Sequence, residues 1–538
     1  MTKRQYALSR SEMYDCDRRT IQELGIPSQV LMENAGKACA EIIQKRTTQT
    51  DKILIICGDG NNGGDGFVIA RWLFHYGLMV EILFTGDTEK MSPETYLNYR
   101  LCHKLEIVFK EIFEAPVYDV YIDAVYGIGF KGQLPDKIKT IFIKINQFNT
   151  KRFAIDIASG LNADTGEVDI DTFRADFTIT MAQAKIGHYL DKGSFVSGEI
   201  IVVDIGIPSI IYDKISPQLE IFAERDMYLP LRFKQSHKGT YGRLGIIAGS
   251  PSLTGAAILS SISALNCGAG LITLYHQPGL ENIFESTLIE VMTKPLLPEN
   301  SAILNEIISK DTLLIGPGIG KSDWSYNVLK FLLLNYNSVL VIDADAINLL
   351  AENPDLLKIV KDRTEYSSLR VIITPHIAEY CRLLQNSIDK KYTVEYLTNQ
   401  PFNAINDFLK QYKICVLLKN HYCICANQDK TYLITGGNDG LATGGSGDVL
   451  AGIIASFLVQ NIQILHQNEI YTFLAKDKHD NLDKEDYESI QSLDEVIIKS
   501  VSSSIKYLYL TAENLSNFML TPAIKPSLLA ENLFRHKE

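Results

Sequence analysis

Apolar residues along this chain gather in short runs of strand length, each followed by a turn rich in glycine or aspartate and then by residues spaced for one face of a helix. Residues 10–46 carry helical spacing in Ile21, Leu24, Val30, Leu31, Ile42 and Ile43, broken at Gly25-Ile26-Pro27, and are expected to cover one side of a sheet. Lys52 to Cys57 reads as the first strand, Gly58 to Gly66 as a glycine loop, and Phe67 to Tyr76 as a helix. Further parallel strands are expected at Val80 to Phe84, Tyr118 to Ala124, Phe153 to Ile157, Phe177 to Thr180 and Ile200 to Asp204. Between Asp204 and Lys234 the rhythm lapses and Pro208, Pro217 and Pro230 punctuate the chain, which places a linker near residues 210–228. Alternation resumes with a strand at Leu244 to Ala248, a small-residue helix at Gly255 to Gly268, and strands at Leu271 to Tyr275, Thr312 to Ile315, Val339 to Ile342, Val371 to Ile373 and Cys415 to Leu418. The pattern predicts two α/β domains, a doubly wound one over residues 1–215 and a second over 225–538, with no motif repeated between them.

Length agrees with that division, since 538 residues exceed one ordinary core and a hydrophobic fraction of 46% can fill two. A net charge of −12 argues against a nucleic-acid backbone or an anionic membrane as the main partner. The nine cysteines, an odd number, read as reduced core thiols, and Cys423 with Cys425 gives only C-x-C without a second pair at zinc spacing. Met1 to Arg10 lacks the apolar run of a signal peptide, and no later stretch is expected to span a membrane, so a soluble cytoplasmic protein is expected.

Chemistry concentrates in two kinds of loop. Gly444-Gly445-Ser446-Gly447-Asp448 precedes a helix expected from Val449 to Gln460, so its glycines let backbone N–H groups approach an anion at a helix N-terminus. Asp448 falls in the first turn, where dipole and amides are expected to keep it ionised as a base; the alternative is a plain glycine turn with Asp448 as a helix cap. In the first half, polar residues follow the carboxyl ends of the strands: the Gly58 to Gly66 loop, Asp123 ahead of Tyr126 to Gln133, and Asp156 ahead of Ala158-Ser159-Gly160. Open α/β sheets bind ligands at that edge, although each aspartate could equally cap the turn beside it. The glycine loop lacks the usual G-x-G-x-x-G form and adds two asparagines and two aspartates, suited to a cation beside a phosphate.

Over residues 1–215 these motifs resemble the YjeF N-terminal domain. The resemblance rests on Glu33-Asn34-Ala35-Gly36, the Gly58 to Gly66 loop with Val68-Ile69-Ala70-Arg71, Asp123-Ala124 with Gly127-Ile128-Gly129, Asp156 to Gly160 with Asp164-Thr165-Gly166, and Thr180 with Lys185-Ile186-Gly187. It implies a Rossmann-like fold and an NAD(P)H-hydrate epimerase, which interconverts the R and S forms of hydrated NADH or NADPH. It further implies that Asn61, Asn62, Gly63, Gly64 and Asp65, with Gly127, Ile128, Gly129, Phe130, Lys131, Gly132 and Gln133, hold the dinucleotide. Asp156 would contact the nicotinamide end, while Asn62, Asp123 and Ser159 would bind K+. Ala158 stands where the family usually has proline. Epimerising a carbinolamine carbon moves protons around the ring nitrogen and the hydroxyl, which suits Asp156 as acid–base group with Lys185 second to it.

The second half resembles the YjeF C-terminal domain, an ADP- or ATP-dependent NAD(P)H-hydrate dehydratase of ribokinase-like fold. Its matching residues are Lys238-Gly239 with Gly242, Ala248-Gly249-Ser250 with Gly255-Ala256, Gly316 to Gly320, Asp343-Ala344-Asp345-Ala346, Thr374-Pro375-His376 with Glu379, Lys419, and Ala442 to Gly452. The resemblance implies that Ala256, Gly318, His376 and Asp448 contact the hydrated nicotinamide dinucleotide. It also implies that Lys419, Asn420, His421, Tyr422, Cys423 and Gly447 hold the adenine nucleotide, with Mg2+ as its counter-ion. Ile377-Ala378, Asn420 and Cys423 depart from the family pattern, and a histidine in this setting could instead stabilise its turn. Residues 476–499, with Asp477, Asp480, Asp483, Glu485, Asp486 and Glu488 among lysines, read as a solvated acidic insertion.

Together these features predict an enzyme that epimerises hydrated NADH or NADPH and dehydrates the S form at the expense of ADP or ATP. Its partners would be small molecules, and many enzymes of this architecture form symmetric homo-oligomers. Two readings stay open beside it: a ribokinase-fold kinase that phosphorylates a small alcohol such as a vitamin precursor, and a first half that serves only as a non-catalytic binding module.

Overall fold

The structure, a computed structural model, describes residues 4–114, 118–297, 299–477 and 492–533, without the side chains of 467–477. The chain divides into two compact units, Met1–Glu220 and Ile221–Glu538. The acidic residues Asp480, Asp483, Glu485, Asp486 and Glu488 of the expected insertion lie outside the described residues.

The first unit is built on a seven-stranded, wholly parallel sheet. In spatial order its strands are Val108–Lys110, Met79–Phe84, Lys52–Cys57, Val120–Ala124, Lys151–Ile155, Phe177–Met181 and Glu199–Val203. Ile53 to Cys57 and Val120 to Ala124 are buried throughout, as expected of strands covered on both faces, and apolar clusters lie on either side of the sheet. Strand order reverses between Lys52–Cys57 and Val120–Ala124, which opens a crevice at their carboxyl ends. Val108–Lys110 was not foreseen because one exposed and two partly buried edge residues leave no apolar run.

The expected glycine loop is shorter than its sequence suggests: the helix Asn61–His75 already includes Asn61 to Gly66. Close packing explains the glycines there. A Cβ on Gly63 would stand 2.0 Å from the Gly58 carbonyl oxygen, and one on Gly64 would meet Met32 and Thr95 below 3 Å. A second short sheet pairs Ala7–Leu8 with Ala184–Lys185 in parallel, which ties the helix Arg10–Gln22 to the segment carrying Lys185. That helix starts at a capping box in which Glu12 N donates to Ser9 Oγ at 3.2 Å and Ser9 N donates to the Glu12 carboxylate at 2.7 Å.

The second unit carries a ten-stranded sheet, in the order Glu220–Ile221, Thr431–Ile434, Cys423–Ala426, Cys415–Lys419, Arg370–Ile373, Val339–Ile342, Thr312–Ile315, Arg243–Ile247, Leu271–His276 and Met292–Pro295. Pairing is parallel from Cys415–Lys419 to Met292–Pro295 and antiparallel in the two hairpins at the other side. The strands Cys423–Ala426 and Thr431–Ile434 escaped the sequence pattern because they follow Cys415–Lys419 by hairpins rather than by helices. The expectation of two α/β domains, the first doubly wound, is met.

The helix expected over Val449 to Gln460 extends from Ser446 to Asp477 and crosses the small-residue helix Thr254–Asn266. Their backbones nearly touch, since a Cβ on Gly452 would lie 2.2 Å from the Ser260 carbonyl oxygen. One sequence expectation is corrected here: the 21 residues Ser446–His466 are long and apolar enough to span a bilayer, but 89% of the segment's apolar window is buried among the unit's own elements. A core helix covered on all sides loses its polar face, which is why composition alone resembles a membrane span. Gly452→Ala should gain about 1 kcal/mol of helix propensity yet lose about 1–3 kcal/mol to overpacking against main chain that no rotamer can relieve. Thermal unfolding of the full chain should therefore show a lower midpoint for the second unit; an unchanged or higher midpoint would show the crossing to be loose.

Candidate functional site

In the first unit, a cavity of about 680 Å³ opens at the carboxyl edge of the sheet. Asp156 follows the strand Lys151–Ile155 in a left-handed conformation, with φ 66°, which for a non-glycine residue costs about 1–3 kcal/mol and is held by its surroundings. Its Oδ1 accepts from Lys185 Nζ, from Thr180 Oγ1 at 3.1 Å and from Met181 N at 3.3 Å. Lys185, only 1% exposed, also donates to Thr180 Oγ1 at 2.8 Å and to the carbonyls of Met181 and Gln183 at 3.0 and 3.1 Å. Burial pushes the Asp156 carboxyl up, but the charge and hydrogen bond of Lys185 outweigh it and hold the group below the usual carboxylate range. His188 closes the base of the site: Lys185 N donates to its Nδ1 at 3.2 Å, and its Nε2 bonds to the Asp156 carbonyl at 3.1 Å. Burial and Lys185 push that imidazole down to about 3, so it is neutral.

Beside this pair, Asp123 is fully buried at the end of the next strand. Its carboxylate accepts from Ser159 N and Ser159 Oγ, both at 2.7 Å, and from Val125 N at 3.1 Å. Burial raises it to about 6. Asn62, 7% exposed, has neither a donor nor an acceptor for its amide oxygen and nitrogen among the described residues, although buried amides are normally bonded. Oxygen atoms of Asn62, Asp123 and Ser159 thus suit a hard cation.

Of the residues expected to hold a dinucleotide, Asn61, Asn62, Asp65, Gly127, Ile128, Gly129, Phe130, Lys131, Gln133 and Asp156 line the cavity, and Lys185 does too. Gly63 and Gly64 do not line it, being turned into the helix packing, and neither does Gly132. The helix Arg10–Gln22 contributes Met13, Tyr14, Asp17 and Ile21. Sequence reasoning saw only a covering helix there, because nothing in the local pattern reports that the Ala7–Leu8 pairing folds it over the strand ends.

In the second unit, Gly444 to Gly447 turn into the helix Ser446–Asp477. A Cβ on Gly444 would meet nothing within 4 Å, while one on Gly447 would stand 3.7 Å from Lys419 Nζ. Lys419 Nζ donates to Asp343 Oδ1 at 2.9 Å, and Thr374 Oγ1 donates to the same oxygen at 2.5 Å. Asp448 does not behave as expected from the helix dipole. Burial first, and then the neighbouring Asp343 and Asp345, raise it to about 6 in spite of Lys419, whose ammonium is ion-paired with Asp343. It is still mainly ionised at neutral pH.

Gly318 and Ala256 meet where the Gly316 to Gly320 loop abuts the helix Thr254–Asn266; a Cβ on Gly318 would lie 3.1 Å from that of Ala256. Ser250 Oγ donates to the Gly318 carbonyl at 2.8 Å, and Gly320 N to Asp345 Oδ2 at 2.9 Å. His376 caps the helix Ile377–Ser387, its Nδ1 accepting from Ala378 N and Glu379 N at 3.1 and 3.3 Å. The turn-stabilising role is therefore real, and Nε2 remains on the half-exposed side of the ring, 3.4 Å from Glu379. Between Lys419 and Cys423, Asn420 and His421 reach the surface, whereas the side chains of Tyr422 and Cys423 enter the core, Cys423 Sγ lying 3.2 Å from Tyr509 Oη. Any contact of Tyr422 or Cys423 with a nucleotide would come from the backbone. Cys425 likewise faces inward, 3.8 Å from the thiol of Cys415.

Two family models match the chain: "YjeF-related protein N-terminus" over residues 28–187 and "NAD(P)H-hydrate dehydratase" over residues 244–497. A bifunctional NAD(P)H-hydrate repair enzyme of Moorella thermoacetica is 33% identical over 484 residues, covering 85% of this chain and 89% of the relative. The enzyme of the same name from Coxiella burnetii is 30% identical over 462 residues, covering 85% and 91%. Among solved structures, the Bacillus subtilis ADP/ATP-dependent NAD(P)H-hydrate dehydratase co-crystallised with ATP and Mg2+ aligns with a TM-score of 0.43 and 20% identity, over 58% of this chain and 94% of that one.

The geometry predicts strong coupling within the buried Lys185–Asp156 pair. Lys185→Met should destabilise the first unit by about 3–5 kcal/mol, because it leaves a buried carboxylate without its cation, and adding Asp156→Asn should restore much of the loss. Denaturant midpoints of the two single variants and the double variant measure this; additive losses would contradict it.

Proposed function

The chain belongs to the family of bifunctional NAD(P)H-hydrate repair enzymes, and on that premise we propose that its two sites divide the work by residue as follows. The first unit epimerises hydrated NADH and NADPH. The ionised Asp156, fixed by Lys185 and Thr180, is its acid–base group at the nicotinamide ring, and the Gly127 to Gln133 segment with Asn61, Asn62 and Asp65 embraces the rest of the dinucleotide. The orphaned amide of Asn62 beside Asp123 and Ser159 fits K+, which would neutralise the buried Asp123 and orient the two loops.

The second unit dehydrates the S epimer. Hydroxide is a poor leaving group, so the ring hydroxyl is first phosphorylated and then departs as phosphate, while the neighbouring ring carbon gives up a proton to the departing phosphate or to water and the ring double bond forms. Asp448 takes the hydroxyl proton as the terminal phosphoryl group of ADP or ATP arrives, and amides of the Gly444 to Gly447 turn stabilise the transferring charge. With ADP this leaves AMP and phosphate. Lys419, held by Asp343 next to Gly447, could bind the nucleotide's phosphates, while Ala256, Gly318 and the half-exposed ring of His376 receive the hydrated nicotinamide. Mg2+ would travel with the nucleotide and supply charge neutralisation to its phosphates when bound. Nine free cysteines and nucleotide substrates fit a cytoplasmic setting, and we include a homo-oligomeric assembly in the proposal.

The observation that carries this division is the Asp448 carboxyl, raised to about 6 at an open glycine turn, set against the Asp156 carboxyl that a buried lysine holds below the usual range. Asp448→Asn should abolish dehydration and spare epimerisation, and Asp156→Ala should do the reverse; loss of both activities in one folded variant would refute the two-site division. Because Asp448 must be ionised to act, the dehydration rate should fall as pH drops through about 6. In thermal melts K+ should raise the midpoint of the first unit, and Asp123→Asn should remove that response.

A further inference from the structure

Resting on the epimerase reading above, we propose that Asp17 is a second catalytic residue of the first unit, acting from another wall of the cavity in concert with Asp156. Met13, Tyr14, Asp17 and Ile21 form one stripe of the helix Arg10–Gln22, and all four line the cavity. Met13 and Ile21 are apolar, Tyr14 adds a ring with one hydroxyl, and the fourth is a carboxylate. An aspartate on a surface helix is ordinarily solvated or paired, and Asp15 on the same helix does pair, with Arg18 and Arg19. Asp17 has no hydrogen-bond or ion-pair partner for its side chain among the described residues, and it faces Asp65, Asp156 and Lys185 across the cavity. Burial lifts it to about 6, partly offset by Lys185, so it can give or take a proton near neutrality.

The chemistry calls for such a group. To invert the hydroxyl-bearing ring carbon, Asp156 takes the hydroxyl proton, the C–O bond becomes a carbonyl, and the C–N bonding pair passes to the ring nitrogen, which receives a proton from Asp17. After rotation the nitrogen attacks the carbonyl from its other face, returns its proton to Asp17, and the oxygen recovers the proton from Asp156. Both carboxyls end in their starting states and no further reactant is needed. Asp156 is held on one wall through the bonds that Lys185, Thr180 and Met181 make to its Oδ1, and a second carboxyl on another wall divides the two proton transfers.

The test follows exchange between the R and S hydrates by the full chain. Asp17→Asn should lower kcat about 10²–10⁴-fold with KM little changed and erase the limb of the pH profile near 6, while Asp17→Glu should recover part of the rate. Thermal stabilisation of the first unit by K+, retained in both variants, reports an intact pocket; if Asp17→Asn does not fold, the kcat and pH limb of Asp17→Glu decide. Wild-type kcat in the variant, or a loss confined to KM, overturns the proposal. Failure of the wild-type chain to speed exchange would instead overturn the epimerase reading itself, whereas an inactive Asp156→Asn beside a fully active Asp17→Asn would reject Asp17 alone.

Discussion

At the carboxyl edge of each parallel sheet a lysine is buried against an aspartate, and a threonine hydroxyl donates to the same carboxylate oxygen. In the first unit the trio is Lys185, Asp156 and Thr180; in the second it is Lys419, Asp343 and Thr374. Removing two charges from water is costly, and the cost is recovered only where geometry is good and the remaining hydrogen-bonding capacity is filled. Each trio meets that condition because parallel strands deliver successive loop residues to one edge in fixed register. The lysines differ in consequence. Lys185 spends its donors on carbonyls and a hydroxyl and so fixes one ionised carboxylate, whereas Lys419 pairs with Asp343 and leaves the carboxyl of Asp448 raised to about 6.

From this difference the division of labour follows. A locked, ionised Asp156 in a cavity that also holds other carboxylates suits proton exchange on a ring that stays within the pocket. An Asp448 carboxyl raised to about 6, in the first turn of a long core helix behind a glycine turn, suits the proposed deprotonation of a hydroxyl, because amides at such a helix start would favour the developing charge.

Much of this was legible in the residues. Runs such as Lys52–Cys57, Thr312–Ile315 and Val339–Ile342 are apolar at every interior position because both faces of a parallel sheet are covered, so their length alone marks them. The aspartates following those strands were readable for the same reason. What escaped depends on contacts distant in sequence. Asp17 reaches the cavity only through the pairing of Ala7–Leu8 with Ala184–Lys185, and the helix begins at Asn61 because Gly63 packs on Gly58. Asp448 is raised by its burial and then by Asp343 and Asp345, which lie about a hundred residues earlier. The inward turn of Tyr422 and Cys423 follows from a hairpin that cysteine-rich strands do not announce.

The central claim is that one chain restores both epimers of a hydrated nicotinamide cofactor by combining these two edges. An equilibrated mixture of R- and S-hydrated NADH, supplied to the full chain with ADP or ATP, K+ and Mg2+, tests it most directly through the return of dihydronicotinamide absorbance. Complete recovery of the mixture, faster than spontaneous epimer exchange allows, is the expected result. Recovery that halts at the S fraction, or accumulation of a stable phosphorylated product without absorbance, would contradict the account.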